Sequence, residues 1–277
     1  MEPYSLNNFR RWFDSYTSRF FGPDEYVNAH LRTKQEHTTR TCQEILILAE
    51  QLALEDHQKQ IAEMVALFHD VGRFPQFAEY RTFNDTKSVD HAHLGVEVLR
   101  REGVLDVLRR EDRQWVETAV EQHSRKTLSA PLNGQALLFA KLIRDADKLD
   151  ILRQVVESYH EQPKSPMRQR LEVEFPDEPW CSPDVMAAIL REEVVDYRTL
   201  RTLSDMRLCQ LAWIYDLNFG VSLARLCARG FPQQILSHLP ATPEIERLGE
   251  KILAYVDGRL QSVPAEKPVR VSHGSGS

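Results

Sequence analysis

His69 and Asp70 stand side by side in His69-Asp70-Val71-Gly72-Arg73, with His37 upstream and His91, His123 and Asp147 downstream. Imidazole and carboxylate are what a divalent cation accepts. Neutral imidazole suits Mn, Fe, Co, Ni or Zn, and carboxylate adds the hardness that Mg also needs, so the residue types do not select one metal. The test is whether these side chains can converge. Adjacent helical residues diverge by about 100°, so His69 and Asp70 share a site only where their helix ends, and Gly72 supplies the freedom to turn there. His37 continues the stripe Thr41, Glu44, Ile45. His123 follows Ala119 by four residues and Trp115 by eight, which puts it on a buried face. Asp147 follows Ile143 by four and Ala140 by seven, so it too emerges from an inward face. A bare carboxylate there is costly unless a cation or hydrogen-bond donors meet it. A single buried histidine is usually a hydrogen-bonded core residue, but polar groups on several apolar helix faces argue for one shared inner site.

The elements that must position them are helical. Apolar residues recur at helical spacing over 35–55 (Ile45, Leu46, Leu48, Ala49, Leu52) and 58–70 (Ile61, Met64, Val65, Phe68). A loop is expected from Gly72 to about Ser88, with Pro75 and Asn84-Asp85 as breakers. Ser88 or Asp90 caps the next helix, 90–102, which Gly103 ends. Helices follow over 111–124 and 135–160. Residues 161–183 hold Pro163, Pro166, Pro176, Pro179 and Pro183 and read as a long loop, with a short extended piece at Leu171–Phe175. Helical patterns resume over 184–196, 204–229 and 243–260. The fold class is all-α. The expected division is a core over 1–160, the proline-rich loop 161–183, C-terminal helices over 184–262 packed on the core, and a polar, disordered tail over 263–277. His273 in that tail is excluded from the site.

The bulk numbers narrow the function. A chain of 277 residues can bury a substantial core. A net charge of −6 argues against a dedicated nucleic-acid binder, which carries a basic excess. Cys42, Cys181, Cys209 and Cys227 form no C-x-x-C pair and fit reduced thiols of a cytoplasmic protein. No secretory signal and no membrane span are expected.

With these residues in view, a family resemblance becomes specific. His37, His69-Asp70 and Asp147 in Asp145-Ala146-Asp147-Lys148-Leu149 resemble the H…HD…D signature of the HD superfamily of metal-dependent phosphohydrolases. His91 with Gly95, and His123 in Gln122-His123-Ser124, resemble the further histidines of its two-metal subgroup. The resemblance spans about residues 30–155 and implies an HD-domain helical bundle with additional C-terminal helices. His93 is a rival to His91. Ser124-Arg125-Lys126-Thr127 stands where the cyclic-dinucleotide enzymes carry Gly-Tyr-Pro, and Val71-Gly72-Arg73-Phe74 stands where the alarmone hydrolases carry an acidic pair. Neither activity is therefore the first expectation.

The resemblance implies a divalent metal cofactor, two ions, with Asp70 bridging them and a metal-activated water attacking a phosphoester. The substrate expected is a small phosphorylated molecule, a nucleotide in the first instance. A phosphodiesterase or nuclease acting on a cyclic nucleotide or single-stranded nucleic acid is the alternative within enzymes. A sensor or scaffold with a metal site but no turnover is the alternative outside them, and a di-iron oxygenase is a minor reading. Asp70, Arg73 and Lys126 are the catalytic candidates; Arg73, Arg81, Lys87 and Lys126 are the substrate contacts, Arg73 foremost. Phe74, Phe77, Tyr80 and Phe83 could stack a base or anchor their loop to the core. Asp145 and Asp150 are read as hydrogen-bond acceptors behind the ligands or as surface charges. His30, His57, His160 and His238 are read as surface or core residues. The sequence leaves a homo-oligomer open.

Overall fold

The computed structural model describes residues 5–129, 131–159 and 175–262. Its helices are α1 (Leu6–Ser18), α2 (Glu25–Gln51), α3 (Asp56–Phe68), α4 (Arg73–Tyr80), α5 (His91–Arg101), α6 (Arg110–Gln122) and α7 (Gly134–Tyr159). The C-terminal part adds α8 (Pro183–Leu190), α9 (Leu203–Ala212), α10 (Gly220–Ala228), α11 (Phe231–Leu236) and α12 (Pro243–Ser262). No strand occurs among the described residues, so the fold is all-α. No described helix is long and apolar enough to cross a membrane.

α3 is the central element. Every residue from Ile61 to Phe68 is buried, as expected of a helix covered on all sides. α2 and α7 pack against it and against each other, and α6 closes the remaining side. On α1, Phe9 and Trp12 set their rings edge-on to Phe68, and Phe13 does the same to Phe74. Phe68 and Phe74 are fully buried. Each contributes roughly 1.5–3 kcal/mol of burial, and together they pin both ends of the segment that carries His69 and Asp70. The helix starts are set by side-chain caps. Asp24 accepts from the N–H groups of Tyr26 and Val27, and Asp90, not Ser88, accepts from those of Ala92 and His93.

Several expected boundaries move. The Gly72–Ser88 loop is in large part helix: α4 fills Arg73–Tyr80, and Asp85–Lys87 makes a 3-10 turn. Pro75 does not break α4 because it lies in the first turn, where a backbone N–H has no intrahelical acceptor to lose. α2 begins ten residues before the apolar pattern that announced it, because its early turns carry polar residues. The expected helix over 204–229 is interrupted by a 3-10 turn at Trp213–Asp216 and an extended Leu217, and a further helix, α11, follows it. α8 stops at Leu190, before Glu192, which adopts a left-handed φ of 62°. The proline-rich loop lies outside the described residues over 160–174, and so do His160, the 263–277 tail and His273; Phe175–Ser182 contains no helix. The four cysteines are free thiols.

The C-terminal helices dock through buried charge. Glu44 on α2 accepts from Arg225 Nε and Arg229 Nη2, each at 2.5 Å. Asp145 on α7 accepts from the backbone N–H groups of Asn218 and Phe219 at 3.0 Å and from Asn218 Nδ2 at 2.8 Å. Asp145 is therefore an interior clamp rather than a surface charge.

Gly72 is needed for a reason other than backbone freedom. Its φ is −69°, open to every residue. A Cβ there would lie 2.2 Å from the His91 carbonyl oxygen and 2.6 Å from the Gly95 nitrogen. This glycine lets the start of α5 approach the end of α3. We expect Gly72→Ala to lower the unfolding free energy by about 2 kcal/mol or more in urea titrations. Gly22→Ala, where a Cβ meets nothing within 4 Å, is expected to be near neutral.

Candidate metal centre

Each histidine of the set enters from a different helix or helix end. His37 lies midway along α2. His69 is the C-cap of α3 and His123 that of α6, while His91 opens α5. Ending a helix at the ligand solves the problem of adjacent residues diverging. After Phe68 the chain tightens, with Val71 N–H donating to Phe68 O at 3.1 Å and Arg73 N–H to Asp70 O at 2.9 Å. His69 Nε2 and Asp70 Oδ2 thereby come within 3.6 Å of each other.

The ligand atoms form two groups that share one carboxylate. In the first, His37 Nε2 lies 3.2 Å from His69 Nε2, 3.0 Å from Asp147 Oδ1 and 3.7 Å from Asp70 Oδ2. In the second, His91 Nε2 lies 3.0 Å from His123 Nε2 and 3.4 Å from Asp70 Oδ1, and His123 Nε2 lies 3.8 Å from that oxygen. Metal–ligand bonds of about 2.1 Å put neighbouring ligands about 3.0 Å apart in an octahedron and about 3.4 Å apart in a tetrahedron. Both groups match that spacing. Asp70 presents Oδ2 to one group and Oδ1 to the other.

The second faces of the rings are fixed. His37 Nδ1 donates to Asp150 Oδ2 and His91 Nδ1 to Asp85 Oδ2, each at 2.7 Å. His69 and His123 donate from Nδ1 to the carbonyls of Ala66 and Val120, also at 2.7 Å. With Nδ1 as the donor, the neutral ring turns a lone pair inward from Nε2, the arrangement that prepares a histidine to bind metal. Burial pushes the pKa of His69 and of His91 down to about 4, so both are neutral at pH 7. Two inward lone pairs 3.0 Å apart, on His91 and His123, repel unless a cation or a proton lies between them. The donor set therefore fits divalent ions.

The carboxylates are charged despite burial. Burial opposes the charge on Asp70, but Lys34 and His69 outweigh it and hold its carboxyl well below the ordinary range. For Asp147, burial is likewise outweighed by His37 and His69, and the shift is downward. For His37, burial favours the neutral ring, while hydrogen bonding to the Asp147 and Asp150 carboxylates raises the pKa overall.

Of the remaining candidates, Arg73 reaches the centre, with Nε 3.5 Å from Asp70 Oδ1. Its Nη1 is committed to Gln76, the Phe83 carbonyl and Asp85. Arg81 does not reach the centre. A left-handed φ of 58° at the end of α4 turns the chain outward, and its guanidinium pairs with Asp24 at the surface. Lys87 is exposed at the end of the 3-10 turn. Lys126 is also exposed, and its nearest acid is Asp196 at 3.9 Å. His93 points away, toward Glu97 and Glu121. Phe74 and Phe77 are buried anchors; Phe83 is half-buried beside the centre, and Tyr80 is exposed.

Three residues escape the sequence pattern. Lys34 Nζ lies 2.7 Å from Asp70 Oδ2; its place three residues before His37, on the same helix face, was the available signal. Asp85 sits in a loop, where no periodicity marks an inward residue. Arg144 is buried on α7 and donates to the carbonyls of His123, Arg125 and Lys126 and to Asp216 Oδ2. It satisfies the open carbonyl end of α6 and so holds the backbone of His123.

Residues 35–152 match the family model described as HD domain. That segment of the chain is an HD domain. No curated protein and no solved structure matches it. HD domains bind divalent metals and are typical of metal-dependent hydrolases, which agrees with the two donor groups around Asp70.

The residues behind the ligands should act on one group each. Asp150→Ala is expected to weaken ion retention at the His37–His69–Asp147 group, and Asp85→Ala at the His91–His123 group, each by about 10–100-fold. Chelator titration with element analysis checks this. Equal loss from both groups in either variant would contradict the partition.

Proposed function

We infer that this HD-domain protein is a metal-dependent phosphohydrolase that cleaves a phosphoester of a small substrate, a nucleotide being the class we favour. The observation that carries the reading is the partition of Asp70, whose two oxygens face two separate donor groups. Two divalent ions held there supply Lewis acidity and a water nucleophile at neutral pH. The protein's own residues supply the rest. His37, His69 and Asp147 would hold one ion, and His91 and His123 the other, with Asp70 common to both. Asp147, with 18% of its side chain exposed against 4% for Asp70, marks the side on which the centre meets solvent. Lys34 and Arg73 flank Asp70 with positive charge, which suits a phosphoryl group approaching the carboxylate. Phe83 beside them offers an aromatic edge for a base. The net charge of −6 favours a small anion over a nucleic-acid polymer.

The test is phosphate release from nucleoside mono-, di- and triphosphates and cyclic dinucleotides, with Mn²⁺, Co²⁺ or Fe²⁺ supplied. Release that depends on the ion, stops with chelator and falls by about 10³-fold or more in Asp70→Ala is the expected result. Absence of release from every substrate with every ion would overturn the reading.

A further inference from the structure

A phosphoryl group at this centre needs cationic donors beyond the ions, and the residues nearest in sequence are mostly spoken for. Arg81 pairs with Asp24, Lys148 Nζ is buried against Asp216 at 2.8 Å, and Lys126 is an exposed side chain beside Asp196. Arg73 spends Nη1 on three acceptors of its own loop.

Lys34 is placed differently. Its side chain is 19% exposed and its ammonium lies 2.7 Å from Asp70 Oδ2. That oxygen is the one facing His37 and His69. Lys34 has no second hydrogen-bond acceptor among the described residues. An ammonium carries three N–H donors, so two remain for a ligand. A carboxylate oxygen has two lone pairs, so Oδ2 can take an ion and keep Lys34.

The lysine head is also held without spending those donors. It lies 5.2 Å from the centroid of the Phe83 ring, and the Arg73 guanidinium lies 5.9 Å from the same ring. Cation–π attraction positions a charge and leaves its N–H groups available. Phe83 is itself braced, with its centroid 4.5 Å from that of the buried Phe77, which stacks on His30. One ring thus carries two cations, Lys34 against Oδ2 and Arg73 toward Oδ1 of the same carboxylate.

We propose that Lys34 contacts the substrate's phosphoryl group, donating to a non-bridging phosphoryl oxygen on the His37–His69 side of Asp70. This rests on the phosphohydrolase reading and assigns to Lys34 the part that sequence proximity gave to Arg81, Lys87 and Lys126. Phe83 is the platform that holds it there.

The experiment is calorimetric titration of inorganic phosphate into Mn²⁺-loaded full-length protein, with ion content measured on the same samples. Wild type, Lys34→Met, Lys34→Gln and Lys34→Arg are compared. Both neutral variants are expected to keep the wild-type ion content and to bind phosphate about 10–100-fold more weakly. Lys34→Arg should recover most of the affinity. Phosphate binding at wild-type strength in an ion-loaded neutral variant would overturn the assignment. So would loss of ions from both neutral variants, since Lys34 would then serve the donor groups and not the phosphate. Wild-type protein that carries its ions yet binds no phosphate would instead count against the phosphohydrolase reading itself.

Discussion

The structure is organised around a charged carboxylate buried where five helices, α2, α3, α5, α6 and α7, converge. Asp70 is 3% exposed, and an isolated carboxylate at that depth would be strongly unfavourable. It is tolerated because a cation lies beside each oxygen, Lys34 at Oδ2 and Arg73 toward Oδ1, the same two oxygens that face the His37–His69 and His91–His123 pairs. The surrounding imidazoles have their outer nitrogens tied down, so their inner nitrogens have nowhere else to point. The interior thus turns two groups of donor atoms toward one carboxylate, an arrangement that divalent ions would fit.

The helical scaffold meets the constraint through its ends. His69, His91 and His123 all lie at helix termini, where a side chain can leave the helical spacing and where free backbone groups can be used. The carbonyls that accept from His69 and His123 belong to the last turns of their own helices. Close approach of two such ends requires Gly72 against the start of α5. The C-terminal helices take part as well. Asp216 and Asn218 dock on Arg144, Lys148 and Asp145, immediately beside Asp147 on α7. Arg144 carries that contact on to the backbone of His123. The segment that matches the family model thus receives support from residues well beyond it.

Much of this was legible in the sequence, and the parts that were not share physical causes. The all-α class and the inward faces of α3, α6 and α7 followed from apolar spacing. The six histidines and aspartates followed from polar residues interrupting those faces, together with the family resemblance. The helix α4 was hidden because Pro75 reads as a breaker unless its place in the first turn is known. The break at Trp213–Asp216 was hidden because an apolar pattern cannot tell one long helix from two short ones in a row. Asp85 and Lys34 were missed for different reasons. A loop acid carries no periodic mark, and a lysine near a helix start is usually a solvated charge. Arg81 shows the opposite error: closeness in sequence to a ligand did not translate into closeness in space, because the left-handed turn there sets its guanidinium against Asp24.

Sharing of Asp70 between two ion positions is open to anomalous diffraction from crystals of the Mn²⁺-loaded protein. Two anomalous peaks about 3.5–4 Å apart are expected. One should lie among His37, His69 and Asp147, the other between His91 and His123, with Asp70 Oδ2 and Oδ1 bonded to them respectively. A single peak on the His37 side, with His91 and His123 bonded only to protein or water, would contradict it.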